Sequence, residues 1–197
     1  MVRWILQVSV AVGVVLSGGL SIAWGHEHGF VEHIGFETAT LAPMAYTQFC
    51  LRYPGECRTR KIFRGGPIRL SADRRGELAR VNAAVNASIV PEPNLQGLAG
   101  EVWLIGPDRG DCNDYAVTKR HELMARGWPA RALLLSEVVT TWGEHHLVLV
   151  VRTSEGDLVL DSLTGRIKPW LRAPYRWVRM QMPGVARLWT TINSRAA

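Results

Sequence analysis

Three side chains of the 197-residue sequence are of types that together do acyl-transfer chemistry: Cys112, His146 and Asp161. A thiol attacks an amide when it is largely thiolate, partly exposed, and next to a base that is itself oriented. Cys112 follows a loop containing Gly106, Pro107 and Gly110 and opens a helix. The unpaired N–H groups and dipole of that helix start are expected to favour its anion. His146 heads the apolar run Leu147 to Val151, and Asp161 ends the run Leu158 to Leu160. In an antiparallel hairpin the start of the first strand lies near the end of the second. A thiolate, an imidazole proton shuttle and a carboxylate fixing the imidazole tautomer would then converge. The helix start offers a backbone N–H for an oxyanion hole. Trp103 is a candidate second donor, against its plainer reading as a core aromatic. Each residue alone has an ordinary structural explanation; the set in this order carries the information.

His145 and His146 point to opposite faces of their strand, so only one can share a face with Asp161. Turn parity bears on the choice. A hairpin loop of even length makes paired residue numbers sum to an odd value and puts Asp161 on the His146 side. An odd loop, Ser154 to Gly156, would favour His145. Two- and four-residue loops are both common and Gly156 suits the left-handed position such turns need, so parity favours His146 over His145 by a modest margin.

The elements that must carry these residues are legible in outline. Leu41 to Phe49 is a short apolar stretch of helical character. Ser71-Ala72-Asp73 opens a helix in which Leu78, Val81, Val85 and Ile89 recur at helical spacing before Pro91. A second helix runs from about Cys112 to Arg126, closed by Gly127 and Pro129. Its inward stripe is Cys112, Tyr115, Ala116 and Leu123, with Lys119 as an imperfection. Strands follow at 131–139, 146–152 and 158–161, with further segments at 175–182 and 185–192. Helices first and an antiparallel sheet second give an α+β fold, N-terminal helices packed on the sheet. Residues 26–40, with His26, His28 and His33, read as a mobile N-terminus rather than a metal site.

Met1 to Arg3 followed by an apolar run to Leu16 and small residues near Ala23-Trp24-Gly25 has the order of an export signal over residues 1–25. The alternative is an uncleaved anchor, since Trp4 to Trp24 could cross a bilayer. Residues 26–197 are then a single exported domain, periplasmic or secreted. In an oxidising compartment Cys50 and Cys57, flanking a Pro54-Gly55 turn, are expected to form a disulfide; the alternative is two buried thiols. Cys112 is left as the odd thiol. The net charge of +6 and the basic, tryptophan-containing segment from Arg166 to Arg179 superficially suggest a nucleic-acid surface. Export argues against nucleic acid, and a solvated face with core tryptophans is the default.

The segment Gly110-Asp111-Cys112-Asn113-Asp114-Tyr115-Ala116, with Lys119, Leu123 and Gly127, resembles the nucleophile region of the bacterial transglutaminase-like cysteine peptidases. The resemblance continues through His146 to Thr153 and Gly156 to Asp161. It extends upstream to Phe49-Cys50, Pro54-Gly55-Glu56-Cys57, Val81-Asn82 and Val85-Asn86. It implies a papain/transglutaminase-like core, a protein substrate, and Cys112, His146 and Asp161 as nucleophile, base and orienter. The best-understood branch of that family consists of periplasmic peptidases that release biofilm adhesins and bind calcium beside the active site. This implies an inner-membrane regulatory partner, and Asp111 and Asp114 as metal ligands. Members commonly carry an acid after the nucleophile, where this chain has Asn113. The loss weakens a calcium site, so Asp111 and Asp114 read equally as helix-start acids and no cofactor is required. Transglutaminase-type transfer to an amine, or a non-catalytic binding module of the same fold, are the alternative functions.

Overall fold

A computed structural model describes residues 32–58, 67–95 and 97–192; the export segment 1–25, His26 and His28 lie outside the described residues. In chain order the elements are β1 (Phe36–Thr40), α1 (Met44–Arg52), α2 (Ala72–Ser88), β2 (Val90–Pro91), α3 (Gly97–Gly100), β3 (Arg109–Gly110), α4 (Cys112–Ala125), β4 (Leu133–Val139), β5 (His145–Thr153), β6 (Gly156–Leu160), β7 (Lys168–Pro169), β8 (Arg176–Met182) and β9 (Val185–Ile192). Seven strands form one antiparallel sheet in the order β1-β9-β8-β4-β5-β6-β7. The α+β expectation holds, with the helices gathered on one face.

Period-two side-chain alternation divides two cores across that sheet. Leu133 and Leu135 of β4 and Leu147, Leu149 and Val151 of β5 join the helices in the larger core. Leu134, Val138, Val148 and Val150 face the other way, onto Trp170, Trp177 and Met180. Both faces of β5 are therefore buried, which is why its sequence shows no polar alternation. The basic tail resolves as the default reading had it: Trp170 and Trp177 are core residues, their rings 5.9 Å apart.

The N-terminal reading needs correction. Phe36–Thr40 is an edge strand paired with β9, and His33 is pinned, its Nδ1 3.0 Å from Asp157 Oδ1. The Ile34 N–H donates to the other Asp157 oxygen at 2.7 Å. A five-residue edge strand with mostly exposed side chains carries too little hydrophobic pattern to be read locally; its partner is at the far end of the chain. Helix α1 begins after Pro43, three residues later than expected. Among the described residues no helix is long and apolar enough to cross a membrane.

Two devices lock α4 in place. Cys50 and Cys57 form a disulfide closing the turn after α1, and Glu56 within that turn pairs with buried Arg120 of α4 at 2.7 Å. On the other flank, α2 is capped by Ser71, whose Oγ accepts the Arg74 N–H. This helix runs antiparallel to α4: Tyr115 O–H donates to Ile89 O at 2.6 Å and Trp128 Nε1–H to Glu77 at 2.5 Å.

Candidate active site

Cys112 is the first residue of α4 and the free cysteine of the described residues. The turn that presents it is built by acids. Asp111 is the N-cap, its Oδ1 accepting the Asn113 N–H at 2.9 Å. Asp114 reaches back to accept the Asp111 N–H at 3.0 Å and, with its other oxygen, the Leu104 N–H at 2.7 Å. This reciprocal capping box satisfies orphan donors of the helix start. It also requires Gly110, where a Cβ would come within 2.2 Å of the Asp114 carboxylate. The loop from Trp103 is stitched on again at Gly106, whose N–H donates to Thr118 Oγ1 at 2.9 Å.

His146 Nε2 lies 2.8 Å from Asp161 Oδ1, and both side chains are buried. The hairpin between them turns on Ser154-Glu155, with Thr153 opposite Gly156, an even loop. Gly156 sits at φ +102°, and a Cβ there would meet Glu32 O at 3.1 Å, so the position needs glycine. His145 instead faces Glu137, its Nδ1 2.7 Å from Oε1, in an exposed pair.

The ladder also explains how Cys112 reaches this strand. Val138 opposes His146 in the ladder that ends with the Thr140 N–H donating to Glu144 O. Alternation then turns the Leu147 N–H away from β4 and toward β6. But β6 has already stopped, at Leu160 opposite Leu149. The Leu147 N–H donates to the Cys112 sulfur instead. Cys112 and Asp161 thus both contact β5 at His146–Leu147, one from the helical layer and one from the strand end. Among the described residues no hydrogen bond joins Cys112 directly to His146.

Burial would raise the Asp161 carboxyl, but hydrogen bonds from His146, the Tyr175 hydroxyl and the Leu163 N–H outweigh it and hold the group below its ordinary value. Tyr175 also packs its ring on His146, centroids 5.8 Å apart. Nothing local in the sequence singles out this tyrosine, which arrives from the loop before β8. Its own hydroxyl is pushed far up, by burial and then by Asp161.

The thiol departs from expectation. Burial pushes Cys112 up to about 12; the Leu147 N–H works against this, and the charges of Asp111, Glu101 and Asp114 add to it. The helix dipole is outweighed chiefly by burial of the sulfur, with the capping acids adding to it. Glu101 accepts a hydrogen bond from the Asn113 amide and is itself raised by burial. Asp114 is raised to about 6 by burial, with Asp111 and Glu101 adding to the rise against the Leu104 and Asp111 N–H groups. Asp111 Oδ1 accepts from the Asn113 amide and the two Asp114 oxygens from the Asp111 and Leu104 amides, so both acids serve the helix start. Trp103 is placed in the core, the plainer of its two readings. Its ring is 2% exposed, packed against Tyr46 and Phe49, and its indole N–H lies toward Glu101, whose carboxyl it lowers against the rise from burial.

A cysteine at a helix start, a buried His–Asp pair at the ends of a hairpin, and helices on one face of an antiparallel sheet define the papain- and transglutaminase-like class of thiol enzymes. The chain belongs to the bacterial transglutaminase-like cysteine proteinase family (BTLCP), which it matches over residues 36–197. Its fold is similar to that of Legionella pneumophila LapG, solved calcium-bound, with a TM-score of 0.51, 25% identity, and coverage of 59% of this chain and 68% of that one. A second LapG structure gives a TM-score of 0.50 at 25% identity, covering 62% of this chain and 71% of that one. No curated protein matches the chain.

Proposed function

We propose that this protein is an exported cysteine peptidase that cleaves peptide bonds of a protein substrate through an acyl-enzyme on Cys112, with residues 1–25 as the export signal. The observation that carries the reading is the buried His146–Asp161 hydrogen bond at 2.8 Å, formed where the Leu147 amide meets the thiol. Asp161 engages Nε2, which leaves Nδ1 of His146 to take the thiol proton. An imidazolium beside the sulfur supplies the positive charge that the surrounding carboxylates deny it, so thiolate and imidazolium form as a pair. The sulfur adds to the scissile carbonyl, and the amine departs with the proton from His146. Water, deprotonated by the same ring, then releases the acyl group. The Cys112 N–H serves the oxyanion, with the Trp103 Nε1–H as the candidate second donor. Tyr175 holds the second Asp161 oxygen and acts as a positioning residue. No step of this chemistry calls for calcium; Asp111 and Asp114, which cap the helix start, are its candidate ligands. The substrate class, by likeness to the family, is a periplasmic or surface protein, and a membrane-bound regulator fits such an enzyme.

Exposure of periplasmic extract to a thiol-reactive peptidyl probe tests the reading. One label on Cys112, absent from Cys112→Ala and from His146→Ala, is the expected outcome; labelling independent of His146 would refute it.

A further inference from the structure

Beside the His146–Asp161 pair lies a cluster of buried polar atoms that the chemistry above leaves unused. Lys119 of α4 is 1% exposed, and its Nζ has no hydrogen-bond partner among the described residues. Two asparagines of α2 share that condition at one atom each: Oδ1 of Asn82, which is 0% exposed, and Oδ1 of half-buried Asn86. Their amide nitrogens are engaged. Asn82 Nδ2 donates to Gly165 O at 3.2 Å, and Asn86 Nδ2 to Asp161 O at 2.9 Å and Thr164 O at 3.5 Å. Because carbonyls only accept, these bonds fix which end of each amide faces the loop after β6 and leave both Oδ1 atoms for something else.

The register of the two helices places the three side chains on facing turns. Tyr115 meets Ile89 and Trp128 meets Glu77, so α2 and α4 are antiparallel. Lys119 then falls opposite Val85 and Asn86, about one turn from Asn82. A buried ammonium is a donor with no acceptor of its own, and the two amide oxygens are acceptors with no donor. Leaving such groups dry costs about 1–3 kcal/mol each. A buried water makes roughly three hydrogen bonds, the number these three atoms supply.

We propose that Lys119, Asn82 and Asn86 enclose a bound-water site, and that through it Lys119 acts as a positioning residue for Asp161. Ammonium, water and amide form one polarised chain whose far end grips the Asp161 carbonyl and the loop that follows. The groups facing Lys119 are few. Asp161 faces it from the end of β6, and the Tyr115 ring lies 5.9 Å from Nζ on α4 itself. On α2 the neighbours are neutral amides, and β5 faces α4 with Leu147, Leu149 and Val151. Burial pulls the lysine down to about 7 against the attraction of Asp161, so below neutrality it is an ammonium that favours anions around it.

The test rests on the proposed function and reads it separately. Iodoacetamide alkylation of Cys112 is measured across pH for wild type, Lys119→Met, Asn86→Leu and His146→Ala, with melting temperatures alongside. Lys119→Met should melt no lower than wild type, since an apolar chain of similar length replaces an unpaired buried charge. Its acid limb should move up by about one pH unit, about a tenfold slower reaction on that limb. Asn86→Leu should shift the limb in the same direction with the lysine intact. A crystal structure should show water within hydrogen-bond distance of Nζ and both Oδ1 atoms. A Lys119→Met limb superposable on that of wild type overturns the proposal, as does direct Lys–Asn bonding with no water between. Equal rates in wild type and His146→Ala would instead overturn the proposed function.

Discussion

At the scale of single residues, the two adjacent histidines have opposite fates, and a two-residue turn decides which is which. His146→Ala should abolish thiol reactivity near neutral pH. His145→Ala removes only an exposed pair with Glu137, worth about 0–1 kcal/mol, and should leave most reactivity in place; the same alkylation assay reads both. Tyr175→Phe leaves the second Asp161 oxygen without its hydroxyl donor. A loss of about 1.5–3 kcal/mol is expected for a hydrogen bond to a charged group, seen in the urea midpoint at neutral pH. The sign with pH follows from the direction of each shift. Asp161 is held low in the folded state, so its contribution is present above the ordinary carboxylate pKa and is lost as pH falls through the folded value; Tyr175→Phe should begin that loss at higher pH. Asp114, raised to about 6, runs the opposite way: its contribution grows as pH falls through about 6 and is complete below its unfolded value. Parity arithmetic leaned toward His146 from sequence because a hairpin is local, and the family resemblance completed the choice. Tyr175, Glu101 and the neighbours of Lys119 were not legible, since each acts across a distance along the chain that no local pattern records.

At the scale of elements, α4 is buried along most of its length rather than on one stripe, and it is held by specific polar partners. Glu56→Ala would strand the Arg120 guanidinium, whose side chain is 2% exposed. A cost of about 3–5 kcal/mol is expected, measurable as a lower urea midpoint, with Glu56→Gln recovering part of it. Lys119 looked like a flaw in an amphipathic stripe because amphipathicity assumes a solvent face, and this helix has little of one. The helices α2 and α4, the strands β4, β5 and β6 and the disulfide were readable from spacing and turn chemistry. The edge strand β1 was not, since an exposed five-residue strand is defined by its partner β9 and not by its own pattern. The capping acids show the same limit from another side. Their spacing identified a helix start, but only their three-dimensional closeness to the sulfur reveals that they oppose its ionisation.

At the scale of the whole molecule, the sheet separates a helical layer that delivers the cysteine from a second core that holds Tyr175, and the two layers come together where β6 ends. Calcium should matter little to this assembly. A chelator is expected to leave the melting temperature within a few degrees, whereas a fall of about 5 °C or more, on the order of 1–2 kcal/mol, would show that Asp111 and Asp114 hold a metal after all. The central claim is that a thiol whose surroundings push it up to about 12 is made reactive by His146 backed by Asp161. The pH–rate profile of Cys112 alkylation in the native protein tests it most directly. A fast reaction sustained through the neutral range, and lost in His146→Ala, is the expected result. A wild-type profile that rises only toward alkaline pH, as for an isolated buried thiol, would contradict it.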